Sequence, residues 1–211
     1  MIAHKITIMF SPYKFTSEES NSYLIGQNEK LAEEVSLYFK NPKTNPLWLI
    51  NTSRQRMSAA LKNTCIVDLR RADPTLTRSL NKTEQFNDVV GTVPTRVLEA
   101  VPLFQRVMSW VEEAIKAAGA NNVEFGRAFF SKHYAHSDVG LHTDSGKYFD
   151  YYDRFHFVID QVDLLNVFQI RDEPLLLEQG KLYWVNNHVP HFLKNNSDKD
   201  RINLIFDARL T

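Results

Sequence analysis

Hydrophobic positions recur at helical spacing in two segments of the first half of the chain. In residues 29–40 the apolar side chains fall near one face of a helix, and residues 94–118 give the clearest helical pattern. Pro102 is expected to start or kink the second helix, and Gly119 to end it. A short helix is also predicted near residues 53–62. The stripe of the second helix consists of Leu103, Val107, Val111, Ala114 and Ile115.

Beyond residue 120 the pattern changes to short runs with alternating polar and apolar positions, which predict β-strands. Helices followed by many short strands favour an α+β fold, with a β-sandwich or barrel packed against helices. We expect a single domain over residues 1–211, in which a helix-rich part (1–120) supports a β core (121–211). The predicted strands cover residues 123–131, 154–160, 165–170, 174–178, 181–186, 191–195 and 201–207.

In two of these predicted strands, apolar and polar side chains alternate, and the polar face carries an arginine. In residues 154–160 and 201–207, one face is apolar and the other bears Arg154 or Arg201 near its start. If the apolar face packs on the helices, the arginines point into a pocket, where a buried guanidinium needs an anionic partner. The sequence therefore favours an anion-binding pocket. The alternative is a pair of edge strands with solvated arginines.

Composition and charge argue against several kinds of partner. The chain has 25 basic and 25 acidic residues and a formal net charge of zero, which argues against a nucleic-acid partner. Cys65 is the only cysteine and lies among apolar neighbours, so we expect a core thiol, no intrachain disulfide and a cytoplasmic protein. No apolar run is long enough to cross a membrane, and no secretory leader is recognisable, so no membrane partner is expected.

An imidazole and a carboxylate stand two residues apart at His142 and Asp144. On a strand both side chains would point to the same side, and a second histidine from a distant strand would complete the two-His-one-carboxylate set that holds Fe(II). A second pair with the same spacing occurs at His136 and Asp138. We prefer 142/144, because the strand with Arg154 follows closely, whereas 136/138 lies in a polar, loop-like stretch.

The distant histidine has two candidates, His188 and His191. We prefer His191, because Arg201 follows it by ten residues across a polar turn. On antiparallel strands that spacing places a guanidinium near the metal, where its planar fork suits one carboxylate of a dicarboxylate chelator. His188 is expected to be a turn residue.

These motifs together resemble the aspartyl/asparaginyl β-hydroxylase family and its small free-proline hydroxylase relatives. The resemblance is carried by HTD at 142–144, RFHFVID at 154–160 and GKLYWVNNHVPHFLKNNSDKDRINLIFD at 180–207. It extends over roughly the C-terminal part of the chain from Val123 onward. It implies a double-stranded β-helix (jelly-roll, cupin-like), with the N-terminal helices packed on its major sheet.

The resemblance also implies a set of site residues. The metal ligands and catalytic residues would be His142, Asp144 and His191. The cosubstrate-binding residues would be Arg201, Arg154, His156 and Ser131. Some members of the family lack the carboxylate ligand, and Asp144 fills that position here, so a full triad is expected.

The implied activity is that of an Fe(II)- and 2-oxoglutarate-dependent dioxygenase, in which O2 is consumed and an unactivated C–H bond is hydroxylated. The substrate would be an amino acid or an Asp-, Asn- or Pro-type side chain in a peptide, and the oligomeric state stays open. Aromatic residues in 145–153 form either a lid or part of the core. Two other classes remain: a cupin-like metal protein without oxygenase activity (an isomerase or a small-ligand binding module), and a structural β-sandwich with incidental histidines.

Overall fold

The computed structural model describes residues 20–48, 64–77, 87–160 and 165–211. The predicted helix near residues 53–62 lies outside these ranges. The helices are α1 (Glu29–Lys40), α2 (Pro74–Thr77), α3 (Arg96–Ala100), α4 (Pro102–Ala117) and α5 (Lys147–Tyr151), with a 3₁₀ helix at Pro42–Leu47. The strands are β1 (Ser22–Gln27), β2 (Thr64–Ala72), β3 (Thr92–Pro94), β4 (Val123–His133), β5 (Ser137–His142), β6 (Asp153–Asp160), β7 (Asn166–Ile170), β8 (Glu173–Leu175), β9 (Lys181–Val185), β10 (His191–Asn195) and β11 (Arg201–Leu210).

The strands form two antiparallel sheets. The major sheet has seven strands in the order β1-β9-β6-β11-β4-β2-β3, and the minor sheet has four in the order β5-β10-β7-β8. Apolar side chains from both sheets meet in a shared cluster that includes Val158 and Tyr183 of the major sheet and Phe168 and Leu193 of the minor sheet. The two sheets are therefore the layers of a sandwich, and their inner faces enclose the space in which a pocket can form.

The other face of the major sheet is covered by α1 and α4, as the sequence predicts. Asn28 caps α1, its side chain accepting a hydrogen bond from the backbone of Leu31. The predicted helix at 94–118 is divided at Val101, because Pro102 begins a new helix there. Gly119 follows its end with a φ of 114°, a conformation that favours glycine. The buried stripe of α4 consists of Phe104, Val107, Met108, Val111 and Ile115.

Three strands in the N-terminal part of the chain were not predicted. β1, β2 and β3 all join the major sheet, so this sheet draws on both sides of the proposed division at residue 120. β2 is buried along most of its length, with Val67 and Leu69 against the helices and Ile66 on the inner face. A strand covered on both faces loses the alternation that identifies a strand from sequence.

None of the helices in the described part of the chain is both long and apolar enough to cross a bilayer.

Candidate metal and cosubstrate site

Three side chains with metal-ligating atoms meet at one edge of the minor sheet. The ligand atoms of His142, Asp144 and His191 all lie within 4.8 Å of one another. His142 ends β5 and His191 begins β10, and the two are directly paired in the antiparallel register. Two imidazoles and one carboxylate form the donor set that suits non-haem Fe(II), and three ligands from one side leave further coordination positions open.

Both imidazoles are oriented by hydrogen bonds to backbone carbonyls. Nδ1 of His142 bonds to the carbonyl of Gly140 at 2.8 Å, and Nδ1 of His191 bonds to that of Val189 at 2.9 Å. Because a carbonyl only accepts, each Nδ1 carries a proton, and in the neutral form of either ring the lone pair is on Nε2. Burial lowers the pKa of His191 to about 4, with Asp144 opposing the shift, so His191 is neutral at physiological pH, as a metal ligand must be.

Two hydrogen bonds to the carboxylate of Asp144 converge on the same oxygen, Oδ2. Oδ2 accepts hydrogen bonds from Arg154 Nη1 and, at 3.0 Å, from Asn187 Nδ2, whereas Oδ1 lies 3.9 Å from His142 Nε2. Burial by itself would raise the pKa of Asp144, but Arg154, the two histidines and Asn187 together lower it below its usual value. The group is therefore an anion whose Oδ1 faces the imidazoles.

The structure corrects the local geometry expected for the 142–144 motif. β5 ends at His142, so Asp144 lies beyond the strand and does not share a strand face with His142. Its position comes from the loop before β10, where the carbonyl of Asn187 accepts a hydrogen bond from the Asp144 amide at 3.1 Å.

The less favoured candidates for metal ligands lie outside the group formed by His142, Asp144 and His191. His136 is exposed, adopts a φ of 53° and bonds through Nε2 to the exposed Asp198 at 2.7 Å. Its partner in the motif, Asp138, is on β5 rather than in the expected loop. His188 is an exposed turn residue whose amide donates to Asn186 Oδ1. None of these side chains belongs to the metal-ligating group.

Arg201 is a buried cation on the inner side of the major sheet. Its side chain is among the largest fully buried ones, with 1% exposure. Within the described ranges, Nε and Nη1 have no hydrogen-bond partner, while Nη2 donates to Oδ1 of Asn203 at 2.9 Å. Burial lowers the pKa of Arg201 to about 9. Burying a guanidinium without a carboxylate is costly, so this environment fits an anionic ligand.

Two other predicted cosubstrate residues lie near Arg201. Asn203 of β11 is paired with Ser131 of β4, whose hydroxyl lies 3.1 Å from His133 Nε2. His156 projects between the sheets, where its ring centroid is 5.5 Å from that of Phe168. Burial, followed by the charges of Arg154 and Arg201, lowers the pKa of His156 well below its usual value.

Arg154 has a different environment from Arg201. Its guanidinium donates to Asp144 and, through Nε at 2.9 Å and Nη2 at 3.2 Å, to both oxygens of Asp207. Asp207 is 1% exposed and also accepts a hydrogen bond from Tyr148 at 2.9 Å. The resemblance implies a cosubstrate contact for Arg154, whereas here each of its three nitrogens donates to a carboxylate of the protein.

The aromatic residues of 145–153 pack in the protein. Tyr148, Phe149 and Tyr152 are all buried, in and just after α5, and form their own cluster. The core alternative therefore describes these three side chains, and a lid does not.

Sequence reasoning assigned no role to Asn187 or Asp207, and both contact the site. Asp207 shares the polar positions of its strand with Arg201, a regularity that could have indicated a charge partner for a buried arginine. Asn187 stands in a loop, where no periodicity indicates which neighbour it will contact.

Several solved structures share the fold of this chain. A 2OG-Fe(II) oxygenase family oxidoreductase from Burkholderia pseudomallei is 10% identical, with a TM-score of 0.60 over 90% of this chain and 85% of that one. A prolyl-4-hydroxylase from Pseudomonas putida is 9% identical, with a TM-score of 0.52 over 89% and 90%. A non-haem monooxygenase, ThoJ, in complex with nickel is 11% identical, with a TM-score of 0.50 over 89% and 72%. At these identities the likeness concerns the fold, which is the predicted double-stranded β-helix.

The family follows from the sequence match. The model of the aspartyl/asparaginyl β-hydroxylase family matches residues 91–210, more than half of the chain and further toward the N-terminus than the quoted motifs. The protein belongs to this family, so the predicted resemblance is confirmed, and an oxidoreductase of the hydroxylase class is supported. Among curated protein sequences, none matches the chain.

Proposed function

We propose that the protein is an Fe(II)- and 2-oxoglutarate-dependent dioxygenase that hydroxylates an unactivated C–H bond. The substrate would be an amino acid or an Asp-, Asn- or Pro-type side chain of a peptide. The observation that carries the proposal is the pairing of the His142, Asp144 and His191 group with Arg201 on the facing sheet, a buried cation without a carboxylate partner in the part of the chain that the structure describes. A metal site and an anion site in one sandwich suit a chelating dicarboxylate.

Each residue has a defined task in this proposal. His142 and His191 present Nε2 to the metal, and Asp144 presents Oδ1 and one negative charge. Arg201 binds the far carboxylate of 2-oxoglutarate. Ser131 and His156 border the same interior and would contact the cosubstrate. Fe(II), with 2-oxoglutarate and O2, supplies the oxidising power, and the cosubstrate leaves as succinate and CO2.

The protein interior excludes water from the side chains proposed to bind the cosubstrate. His156 and Arg201 are both nearly excluded from solvent, at 5% and 1% exposure, and lie between sheets sealed by an apolar cluster. In such a medium the attraction between a guanidinium and a carboxylate is stronger than in water, so Arg201 selects a dianion over a monocarboxylic acid.

The alternative of a metal protein without oxygenase activity gains no support from Arg201. A metal-only isomerase or binding module would leave a buried cation without an acidic partner, at a cost to stability. For the cellular location we retain the cytoplasm as our proposal, which rests on the single cysteine Cys65.

The experiment is a screen for substrate-stimulated succinate formation. Purified protein with Fe(II), 2-oxoglutarate and O2 is incubated with individual amino acids and with short peptides that contain Asp, Asn or Pro. We expect at least one compound to raise succinate formation and to gain one oxygen atom by mass. Asp144→Ala should reduce both signals to background. Succinate formation that is equal in wild type and Asp144→Ala would overturn the proposal.

A further inference from the structure

The two oxygens of Asp144 have different surroundings. Oδ2 is engaged by two donors, Arg154 Nη1 and Asn187 Nδ2, whereas Oδ1 is directed at the His142 imidazole. An unrestrained carboxylate rotates about its last bond, and either oxygen or both can bind a metal. When one oxygen is held by two donors, the other becomes the sole ligand, and the remaining coordination positions stay open.

Asn187 restrains both the backbone and the side chain of Asp144. Its carbonyl accepts from the Asp144 amide at 3.1 Å, and its Nδ2 donates to the carboxylate at 3.0 Å. It is 1% exposed and lies in the loop between β9 and His191. The loop that leads to one ligand therefore also orients another.

Contacts other than the one with Asp144 also hold the side chain of Arg154 in place. Asp207 binds two of its nitrogens, and the Tyr148 hydroxyl bonds to one of the same Asp207 oxygens. The carboxylates of Asp144 and Asp207 offset the cost of burying the guanidinium, and they raise the pKa of Arg154. A cosubstrate carboxylate would therefore have to share Arg154 with two carboxylates of the protein.

We propose that Arg154 and Asn187 are positioning residues, which hold Oδ2 of Asp144 so that Oδ1 alone faces the metal. The inference rests on the proposed function, since it takes Asp144 as a ligand. It assigns Arg154 to the metal side of the site and leaves the far carboxylate of the cosubstrate to Arg201.

The test separates metal affinity from cosubstrate affinity, with Co(II) as the metal probe. Co(II) binding to the metal-free protein is followed by its visible absorption, and 2-oxoglutarate binding is then measured by calorimetry at saturating Co(II). The variants are Asn187→Ala and Arg154→Met. Asn186→Ala is the matched control, because Asn186 is an adjacent buried asparagine that bonds to Ser20 and His188 rather than to Asp144.

We expect Asn187→Ala and Arg154→Met each to weaken Co(II) binding about 10- to 100-fold and to alter its absorption spectrum. Both should bind 2-oxoglutarate at saturating Co(II) within about threefold of wild type, a difference of less than about 0.7 kcal/mol. Asn186→Ala should match wild type in both measurements. Within the described ranges Asn187 Oδ1 has no hydrogen-bond partner, so among the side-chain hydrogen bonds there Asn187→Ala removes the one to Asp144.

Three results would overturn the inference. If Asn187→Ala binds Co(II) with wild-type affinity and spectrum, the positioning role fails while the proposed metal site stands. If Arg154→Met keeps its Co(II) affinity and loses 2-oxoglutarate affinity, Arg154 is a cosubstrate ligand. If wild type binds no Co(II), the proposed function fails first. Arg154→Met leaves two buried carboxylates without their cation, so a folding defect there transfers the decision to Asn187→Ala.

Discussion

His142 and His191 are directly paired across β5 and β10, and their ring centroids are 4.3 Å apart. Antiparallel pairing at the end of one strand and the start of the other therefore brings together two imidazoles that are far apart in sequence. Because the backbone ladder sets their separation, the metal position is built on strands rather than on a loop. Asp144 differs from them in that its orientation depends on side chains from other elements, Arg154 and Asn187.

The first prediction decides between the two histidine–aspartate motifs. His142→Ala should abolish metal-dependent 2-oxoglutarate turnover, because it removes a ligand of the metal group. His136→Ala should leave turnover unchanged, since His136 is exposed and its side chain bonds to Asp198 at the surface. The measurement is succinate formation without substrate. Loss of activity in His136→Ala, with His142→Ala still active, would place the metal at the other motif.

The second prediction concerns the cost of burying Arg201. Arg201→Met should raise the free energy of unfolding of the metal-free protein by roughly 1–4 kcal/mol, because it replaces a buried cation that has no carboxylate partner among the described residues. The same variant should weaken 2-oxoglutarate binding by about 100-fold, which corresponds to about 2.7 kcal/mol. Denaturant unfolding and calorimetry measure the two effects.

Lys194→Met is the control for Arg201→Met, because Lys194 is an exposed cation on β10. It should change neither quantity appreciably. A destabilised Arg201→Met protein that binds 2-oxoglutarate as tightly as wild type would show that Arg201 serves the fold instead.

The third prediction is the pH dependence of stability in the metal-free protein. The pKa of His191 is about 4 in the folded state and near 6.5 when unfolded, so between these values the unfolded chain binds the proton. Stability should therefore fall as the pH drops from 7 to 5, by about 2 kcal/mol from His191 alone. His156, whose pKa is also lowered, adds to the fall in the same direction.

The variant that tests this assignment is His156→Asn. It should reduce the slope of unfolding free energy against pH between 5 and 7, because it removes a buried imidazole whose pKa is lowered. The slope is measured by denaturant unfolding at several pH values. If wild type and His156→Asn have equal slopes, His156 is not a buried imidazole that stays neutral in the folded protein.

The fourth prediction concerns the support beneath Arg154. Tyr148→Phe should destabilise the protein by about 1–3 kcal/mol, because its hydroxyl donates to the buried Asp207 and accepts from the Arg127 amide at 2.6 Å. Tyr151→Phe is the matched control on the same helix, since its hydroxyl bonds to Glu124 at an exposed position. Tyr151→Phe should lose less, and a Tyr148→Phe protein as stable as wild type would show that Asp207 needs no support from Tyr148.

Most of the fold could be predicted because its elements are regular. The helix at 29–40 and the strands around Arg154 and Arg201 each present one apolar face to the same core. β2 could not be recognised, because burial on both faces removes the alternation. Short β3 offers only three residues of pattern.

In the candidate site, too, the residues on regular elements could be predicted and those that depend on loops could not. His142, His191 and Arg201 lie at strand ends, where spacing and register bring them together, and sequence motifs indicate such positions. Asn187 and the orientation of Asp144 depend on two loops that contact each other, and no periodicity in either loop indicates that contact. The division of tasks between Arg154 and Arg201 depends on Asp207, whose contacts become visible only in three dimensions.

The most direct test of the proposed dioxygenase site is an anaerobic titration of the metal-free protein with Fe(II) and 2-oxoglutarate, followed by visible absorption. A bidentate 2-oxo acid on a ferrous ion held by His142, Asp144 and His191 should give a weak charge-transfer band that requires both additions and vanishes in His191→Ala. A folded wild-type protein that shows no band at saturating Fe(II) and 2-oxoglutarate would contradict the assignment.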